Sequence, residues 1–92
     1  MERMTINWPT GRMEIVLDEF FPCTQKNARI LAPLVAENLD EDAFESLEQY
    51  LAGKAEMLER QAGSQKKALM AARRYRMDLG ILLKAWEREG RT

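Results

Sequence analysis

The 92-residue chain contains no histidine and only one cysteine, Cys23. Without an imidazole it lacks the usual general base near neutral pH and the commonest protein ligand of transition metals. A single thiol can form neither a disulfide within the chain nor a structural zinc site. Cys23 does precede a predicted helix N-terminus, a position that lowers a thiol pKa. The five glycines form no phosphate-binding loop, so we expect no enzyme activity, no metal and no cofactor.

Long apolar segments are also missing. No run of apolar residues approaches the ~20 that a membrane-spanning helix requires. The first residues, Met1 to Thr5, include no apolar core of a signal peptide, so we expect a cytoplasmic protein without a membrane partner. The hydrophobic fraction of 46% is ordinary for a folded protein, and the length suits one domain spanning 1–92.

Charge is divided unequally along the chain. Residues 1–60 carry 12 acidic and 6 basic side chains, whereas residues 61–92 carry 3 acidic and 8 basic ones. The net charge of −1 therefore combines an acidic part with a basic part. The division falls at Gly63-Ser64, where one helical pattern ends and another begins. We expect an acidic helix and a basic helix that attract each other.

The periodicity of apolar residues predicts an α+β domain. Over 4–17, apolar and polar residues alternate on either side of Pro9-Thr10-Gly11, which is typical of a two-stranded β-hairpin. A two-residue loop would pair Ile6 with Met13, whereas a type I turn with a bulge at Gly11 suits proline better and shifts this register by one residue. Three helices packed against the hairpin are predicted to follow, over 25–38, 41–62 and 65–89.

Local signals set the ends of the first two helices. Thr24 is a good N-cap for the helix over 25–38, and Pro33 inside that helix predicts a kink or a split. Negative charge and a cap are supplied at the start of the next helix by the acidic residues around Asp40, and Asp42 with Glu45 resembles a capping box.

The predicted helix over 65–89 has an apolar seam with alternating spacings of four and three residues, which is typical of helix–helix packing. Its members are Ala68, Ala72, Tyr75, Leu79, Leu82 and Trp86. With a tight turn at Gly63-Ser64, this helix forms an antiparallel helical hairpin with the helix over 41–62. The alternative is one long helix over 41–89, which would need a dimer to bury its seam.

A second stripe lies opposite the seam on the same predicted helix. This basic stripe consists of Lys66, Met70, Arg73, Met77, Ile81, Lys84 and Arg88. Methionine is adaptable and is favoured at recognition surfaces, so the stripe predicts a binding face for an acidic surface. The alternative is that Met70, Met77 and Ile81 pack under the β-hairpin while the basic groups point outward.

The candidate partner-binding residues are the stripe without Ile81 and two neighbouring arginines: Lys66, Met70, Arg73, Arg74, Arg76, Met77, Lys84 and Arg88. A protein partner is the main expectation. One alternative is a nucleic-acid-associated regulator that uses Lys66, Lys67, Arg73, Arg74 and Arg76 on phosphates. Another is a self-assembling helical protein, such as a homodimer, whose seam is filled by its own copy.

Two short segments carry a resemblance to known proteins. The stretches Thr5-Ile6-Asn7-Trp8-Pro9-Thr10-Gly11-Arg12-Met13-Glu14 and Phe20-Phe21-Pro22-Cys23-Thr24 resemble small accessory proteins of bacterial phages and integrative elements, among which are anti-CRISPR inhibitors. The resemblance implies a small intracellular factor that acts by stoichiometric binding. We therefore expect a non-catalytic protein-binding module, with inhibition of a bacterial defence complex as the activity that the resemblance implies.

Overall fold

An antiparallel β-hairpin and four helices make up the described part of the chain. The computed structural model describes residues 2–8 and 10–90. Its elements are β1 (Arg3–Trp8), β2 (Gly11–Val16), α1 (Leu17–Phe20), α2 (Gln25–Asn38), α3 (Glu41–Ala62) and α4 (Lys66–Arg88). The predicted α+β class is confirmed, and the last two helices pack against each other. The alternative of one helix over 41–89 is wrong, because α3 ends at Gly63, where φ is 54° and the chain reverses.

The two strands pair in the register that a two-residue loop predicts. Ile6 lies opposite Met13, and Trp8 lies opposite Gly11. The shifted register expected from a bulged type I turn is therefore wrong. Gly11 has a φ of 132°, a backbone conformation that side-chain-bearing residues rarely adopt. The predicted turn conformation at Pro9 lies outside the described residues.

The β-hairpin packs mainly on α2. Ile6 and Ile15 are buried, and β1 lies against α2. The backbone N–H of Asn7 donates to Asn38 Oδ1 at 3.2 Å, and Asn38 Nδ2 donates to the carbonyl oxygen of Leu34 at 2.7 Å. This amide therefore connects the strand to the last turn of α2.

A single helical turn, α1, joins the hairpin to α2, and the sequence patterns did not predict it. Leu17 is buried at its start, and the following Phe20 and Phe21 meet edge to face with ring centroids 5.1 Å apart. The turn places these rings at the junction between the sheet and the helices.

Side-chain caps begin α2 and α3. Thr24 Oγ1 accepts the N–H of Asn27 at 3.2 Å, which confirms the predicted N-cap of α2. Asp40 caps α3, because its carboxylate accepts the N–H of Ala43 at 2.7 Å. The capping box expected at Asp42 is therefore wrong, since the N-cap lies two positions earlier, at Asp40.

Pro33 lies inside α2 without dividing it. The helix runs from Gln25 to Asn38, so the predicted split does not occur. Proline has no N–H, and the carbonyl of Arg29 therefore lacks its usual helical donor four residues ahead. Pro33 is exposed, so water at the surface can donate to the carbonyl of Arg29 instead.

Helices α3 and α4 run antiparallel. Phe44 near the start of α3 stacks on Trp86 near the end of α4, with centroids 4.1 Å apart and planes 7° from parallel. Further along, Arg76 donates two hydrogen bonds to Glu59, at 2.9 and 2.6 Å. The predicted attraction between an acidic and a basic helix thus occurs through this pair.

α4 also contacts α2, and a buried carboxylate fixes the loop between α1 and α2 to it. Asp78 is fully buried, and its Oδ2 accepts the backbone N–H of Cys23 at 2.9 Å. Tyr75 donates to the carbonyl oxygen of Phe21 at 3.4 Å. Asp78 Oδ1 has no hydrogen-bond partner among the described residues. Burial raises the pKa of Asp78, while the N–H and thiol of Cys23 and the positive charge of Arg74 oppose this rise.

The raised pKa of Asp78 makes stability depend on pH. A carboxyl whose folded pKa exceeds its unfolded value stabilises the fold below the unfolded pKa, and this contribution is lost as pH rises through the folded pKa. We expect Asp78→Asn to gain stability relative to the wild type as pH rises, with a slope of at most about 1.4 kcal/mol per pH unit for one proton. Urea unfolding followed by circular dichroism at several pH values measures the difference.

Asp18→Asn is the matched control. The hydroxyl of Tyr50 donates to Asp18 and lowers the pKa of that carboxyl, so its contribution is present above the unfolded pKa and is lost as pH falls through the folded value. Relative to the wild type, this variant should lose stability as pH rises. Parallel stability curves for the wild type and Asp78→Asn would contradict the assignment.

Candidate protein-binding surface

α4 has one buried and one exposed side. The buried residues lie at spacings of three and four, on the side that meets α2 and α3: Ala72, Tyr75, Asp78, Leu82 and Trp86. The seam that the sequence predicts is therefore largely filled within the chain. On the opposite side lies the basic stripe, whose members are exposed except for the half-buried Ile81.

The methionines of the basic stripe are uncovered. Met70 is 62% exposed and Met77 is 41% exposed. The hairpin packs on α2, so the alternative in which it covers these side chains is wrong. In the described part of the chain, both methionines on this side of α4 stay exposed, and Ile81 is half-buried beside α2. The exposed methionines are consequently available for contact with another molecule.

The C-terminal half of the basic stripe borders a groove of about 630 Å³ between α2 and α4. We call it the α2–α4 groove. Residues with short or cyclic side chains line it, among them Ala32 and Pro33 of α2 with Gly80 and Ala85 of α4. An added Cβ at Gly80 would meet no atom within 4 Å. The missing side chain at Gly80 therefore helps to keep the groove open.

Three cations border the α2–α4 groove, Arg29 from α2 and Lys84 and Arg88 from α4, with one acid, Glu89. None of the three cations has an ion pair with another described residue. Sequence reasoning missed Arg29, because only the packing of α2 on α4 brings it to the stripe. It also missed Gly80, whose position in the middle of a helix is the one signal that could have pointed to a groove.

The remaining predicted residues divide by position. Met70 and Arg73 lie on the exposed side, and Lys66 is the first residue of α4, about 27 Å from Lys84 at the helical rise per residue. Arg76 lies on the flank that faces α3, where Glu59 engages it. Arg74 is exposed, and its positive charge opposes the rise in pKa of both Cys23 and Asp78.

An acidic groove lies on the other flank of α4. It has a volume of about 410 Å³ and includes the stacked rings of Phe44 and Trp86. Its charged residues are all acids: Glu41, Glu45, Glu48 and Glu87. The C-terminal half of α4 therefore separates a basic groove from an acidic one. This arrangement favours a partner that carries negative charge toward α2 and not toward α3.

The single thiol is placed where it stays protonated. Cys23 is buried, and burial together with the negative charge of Asp78 raises the pKa of its thiol to about 12. The lowering expected from the helix N-terminus is therefore wrong, because desolvation and the neighbouring carboxylate exceed it. The reactive form of cysteine is the thiolate, so this group is a weak nucleophile in the folded chain.

The described residues include no group of three or more potential metal ligands and no helix long and apolar enough to cross a membrane. Comparisons of the chain with protein-family models, curated proteins and solved structures found no match.

The burial of Cys23 predicts slow chemical modification. We expect iodoacetamide to react with the folded protein near neutral pH at least about a hundredfold more slowly than with the unfolded protein, because the thiol is both inaccessible and protonated. Mass spectrometry of alkylated samples with and without guanidinium measures the two rates. Comparable rates would contradict the described environment of the thiol.

Proposed function

We propose that this chain is a non-catalytic protein-binding module that presents the exposed side of α4 to an acidic partner surface. The observation that carries the proposal is the uncovered pair Met70 and Met77, set among cations that have no ion pair within the described chain. Inhibition of a bacterial defence complex, which the resemblance implies, stays a prediction about the identity of that partner.

The magnitudes favour an apolar contact guided by charge. Fully burying a methionine contributes about 1.5–3 kcal/mol, whereas an exposed ion pair contributes about 0.2–1 kcal/mol. Met70 and Met77 are 62% and 41% exposed, so covering both would contribute about as much as burying one whole methionine, which still exceeds the contribution of any one cation. The cations would set orientation and accelerate encounter with an acidic surface.

Two surface pairs allow a matched test of this proposal. Met70 and Arg73 on α4 have the same spacing as Met57 and Arg60 on α3, and Met57 is 43% exposed. We expect Met70→Ala/Arg73→Ala to lose most of the partner captured by the wild type from a bacterial lysate. Met57→Ala/Arg60→Ala should retain it. Quantitative mass spectrometry of the captured proteins provides the measurement.

Equal capture by both double variants would contradict the use of α4, and the absence of any near-stoichiometric partner would count against a binding module. Both variants change exposed residues, so their melting temperatures should match that of the wild type within a few degrees. A thermal melt by circular dichroism establishes that lost capture reflects the surface and not unfolding.

A nucleic-acid-associated regulator is the second candidate. The observation in its favour is that Lys66, Lys67, Arg73 and Arg74 have no ion pair with another described residue. Two placements weigh against it, because Arg76 is engaged by Glu59 and Tyr75 is buried, which removes it as a base-stacking group.

The regulator predicts retardation of duplex DNA or of RNA of about 30 nucleotides at low salt, with affinity that falls steeply as salt rises. If the protein-binding proposal holds, we expect no retardation of either probe. The variant Arg73→Glu/Arg74→Glu is informative where binding occurs, since loss of binding in this variant would establish the regulator.

A further inference from the structure

We propose that the α2–α4 groove binds an acidic amphipathic helix of the partner protein. Apolar residues of that helix contact Met77, Ile81 and Pro33, and its carboxylates meet Arg29, Lys84 and Arg88. The inference rests on the proposed function and adds to it a binding site and the chemistry of the ligand.

The shape of the groove fits a helix. Its α4 side extends from Met77 to Arg88, which is about 17 Å at the helical rise and equals about three turns of a partner helix. Strand addition requires an open strand edge, and both walls of this groove are helices. An amphipathic helix in an apolar groove is a recognition mode that such walls accommodate.

The charges fit the same ligand. Lys84 and Arg88 are one turn apart on α4, so their side chains lie on one face of that helix. Carboxylates three or four residues apart on a partner helix have a comparable spacing of about 5–6 Å. Arg29 supplies a third cation from the opposite wall, so acids on both flanks of the bound helix find a partner.

Other ligands match the groove less well. A nucleic-acid backbone would engage the cations but leave Met77 and Ile81 without an apolar contact. A second copy that docked its own basic stripe here would bring like charges together. The acidic helix is the ligand that satisfies both the apolar and the charged residues.

The test uses a fluorescein-labelled peptide of about 15 residues, with leucines repeating every three or four positions and glutamates on both flanks, long enough to cover the groove as a helix. Fluorescence anisotropy measures its affinity for the full chain. A peptide with the same composition in scrambled order should bind at least about tenfold more weakly, because it cannot present an apolar face.

Two glycines provide matched protein variants. Gly80 and Gly53 both lie inside helices, and an added Cβ at either position meets no atom within 4 Å. Gly80→Gln fills the groove, whereas Gly53→Gln changes α3 on another surface. We expect the first to weaken peptide binding at least about tenfold and the second to leave it unchanged, since both replacements raise helix propensity equally.

A double charge reversal tests the role of the cations. We expect Lys84→Glu/Arg88→Glu to bind the peptide at least about tenfold more weakly than the wild type. Undetectable peptide binding, equal binding by the two glycine variants, or tighter binding of a duplex DNA probe through Lys84 and Arg88 would overturn the inference. In these cases the lysate capture by Met70→Ala/Arg73→Ala separately decides the proposed function, because those positions lie outside the groove.

Discussion

The placement of α4 between α2 and α3 is the constraint on which the other features depend. A helix that packs against two neighbours leaves part of its surface uncovered, and apart from α2 and α3 the described chain offers only the β-hairpin and the single turn α1. The hairpin cannot serve, because Ile6 and Asn7 attach it to α2. The exposed side of α4 is therefore a consequence of the topology, and the residues placed there, cations with two methionines, determine what it can contact.

The Asp78 contact adds specificity to this packing at a cost in stability. A buried carboxylate with one unpartnered oxygen is less favourable than an apolar residue at the same position. In return, the hydrogen bond from Cys23 to Asp78 holds the start of α2 at one position along the axis of α4. The α2–α4 groove depends on that position, because a shift of α2 along α4 would carry Arg29 away from Lys84 and Arg88. This buried hydrogen bond thus contributes to the position of α2 against α4, next to the groove.

Local chemistry made most of the helices predictable. Thr24 and Asp40 cap helices through hydrogen bonds to residues three positions ahead, and Gly63 ends α3 by its backbone conformation, so these signals are contained within a few residues. Contacts between residues far apart in the sequence were not predictable. Asp78 interrupts an otherwise apolar buried face, and only its contact with Cys23, 55 residues away, explains its presence there.

The same distinction applies to the candidate surface. The basic stripe follows from the helical period, but the sequence left open whether its apolar members pack under the β-hairpin, and only the structure shows that Met70 and Met77 are exposed. Arg29 is different, because its proximity to the stripe depends on how α2 packs against α4. Arg76 is the converse case. It is close to the stripe in sequence, but its side chain lies toward α3 and donates to Glu59. Periodicity locates a face, whereas packing decides which charges remain available on it.

The charge division within the chain consequently has two separate roles. One acid–base pair, Glu59 with Arg76, joins the acidic helix to the basic one, and exposed pairs of this kind contribute only about 0.2–1 kcal/mol. Part of the remaining charge forms two surfaces of opposite sign on the flanks of α4. Because the basic stripe itself carries cations, a symmetric dimer centred on the stripe would bring them face to face. A partner of different composition, acidic on one side and apolar at its centre, meets no such repulsion.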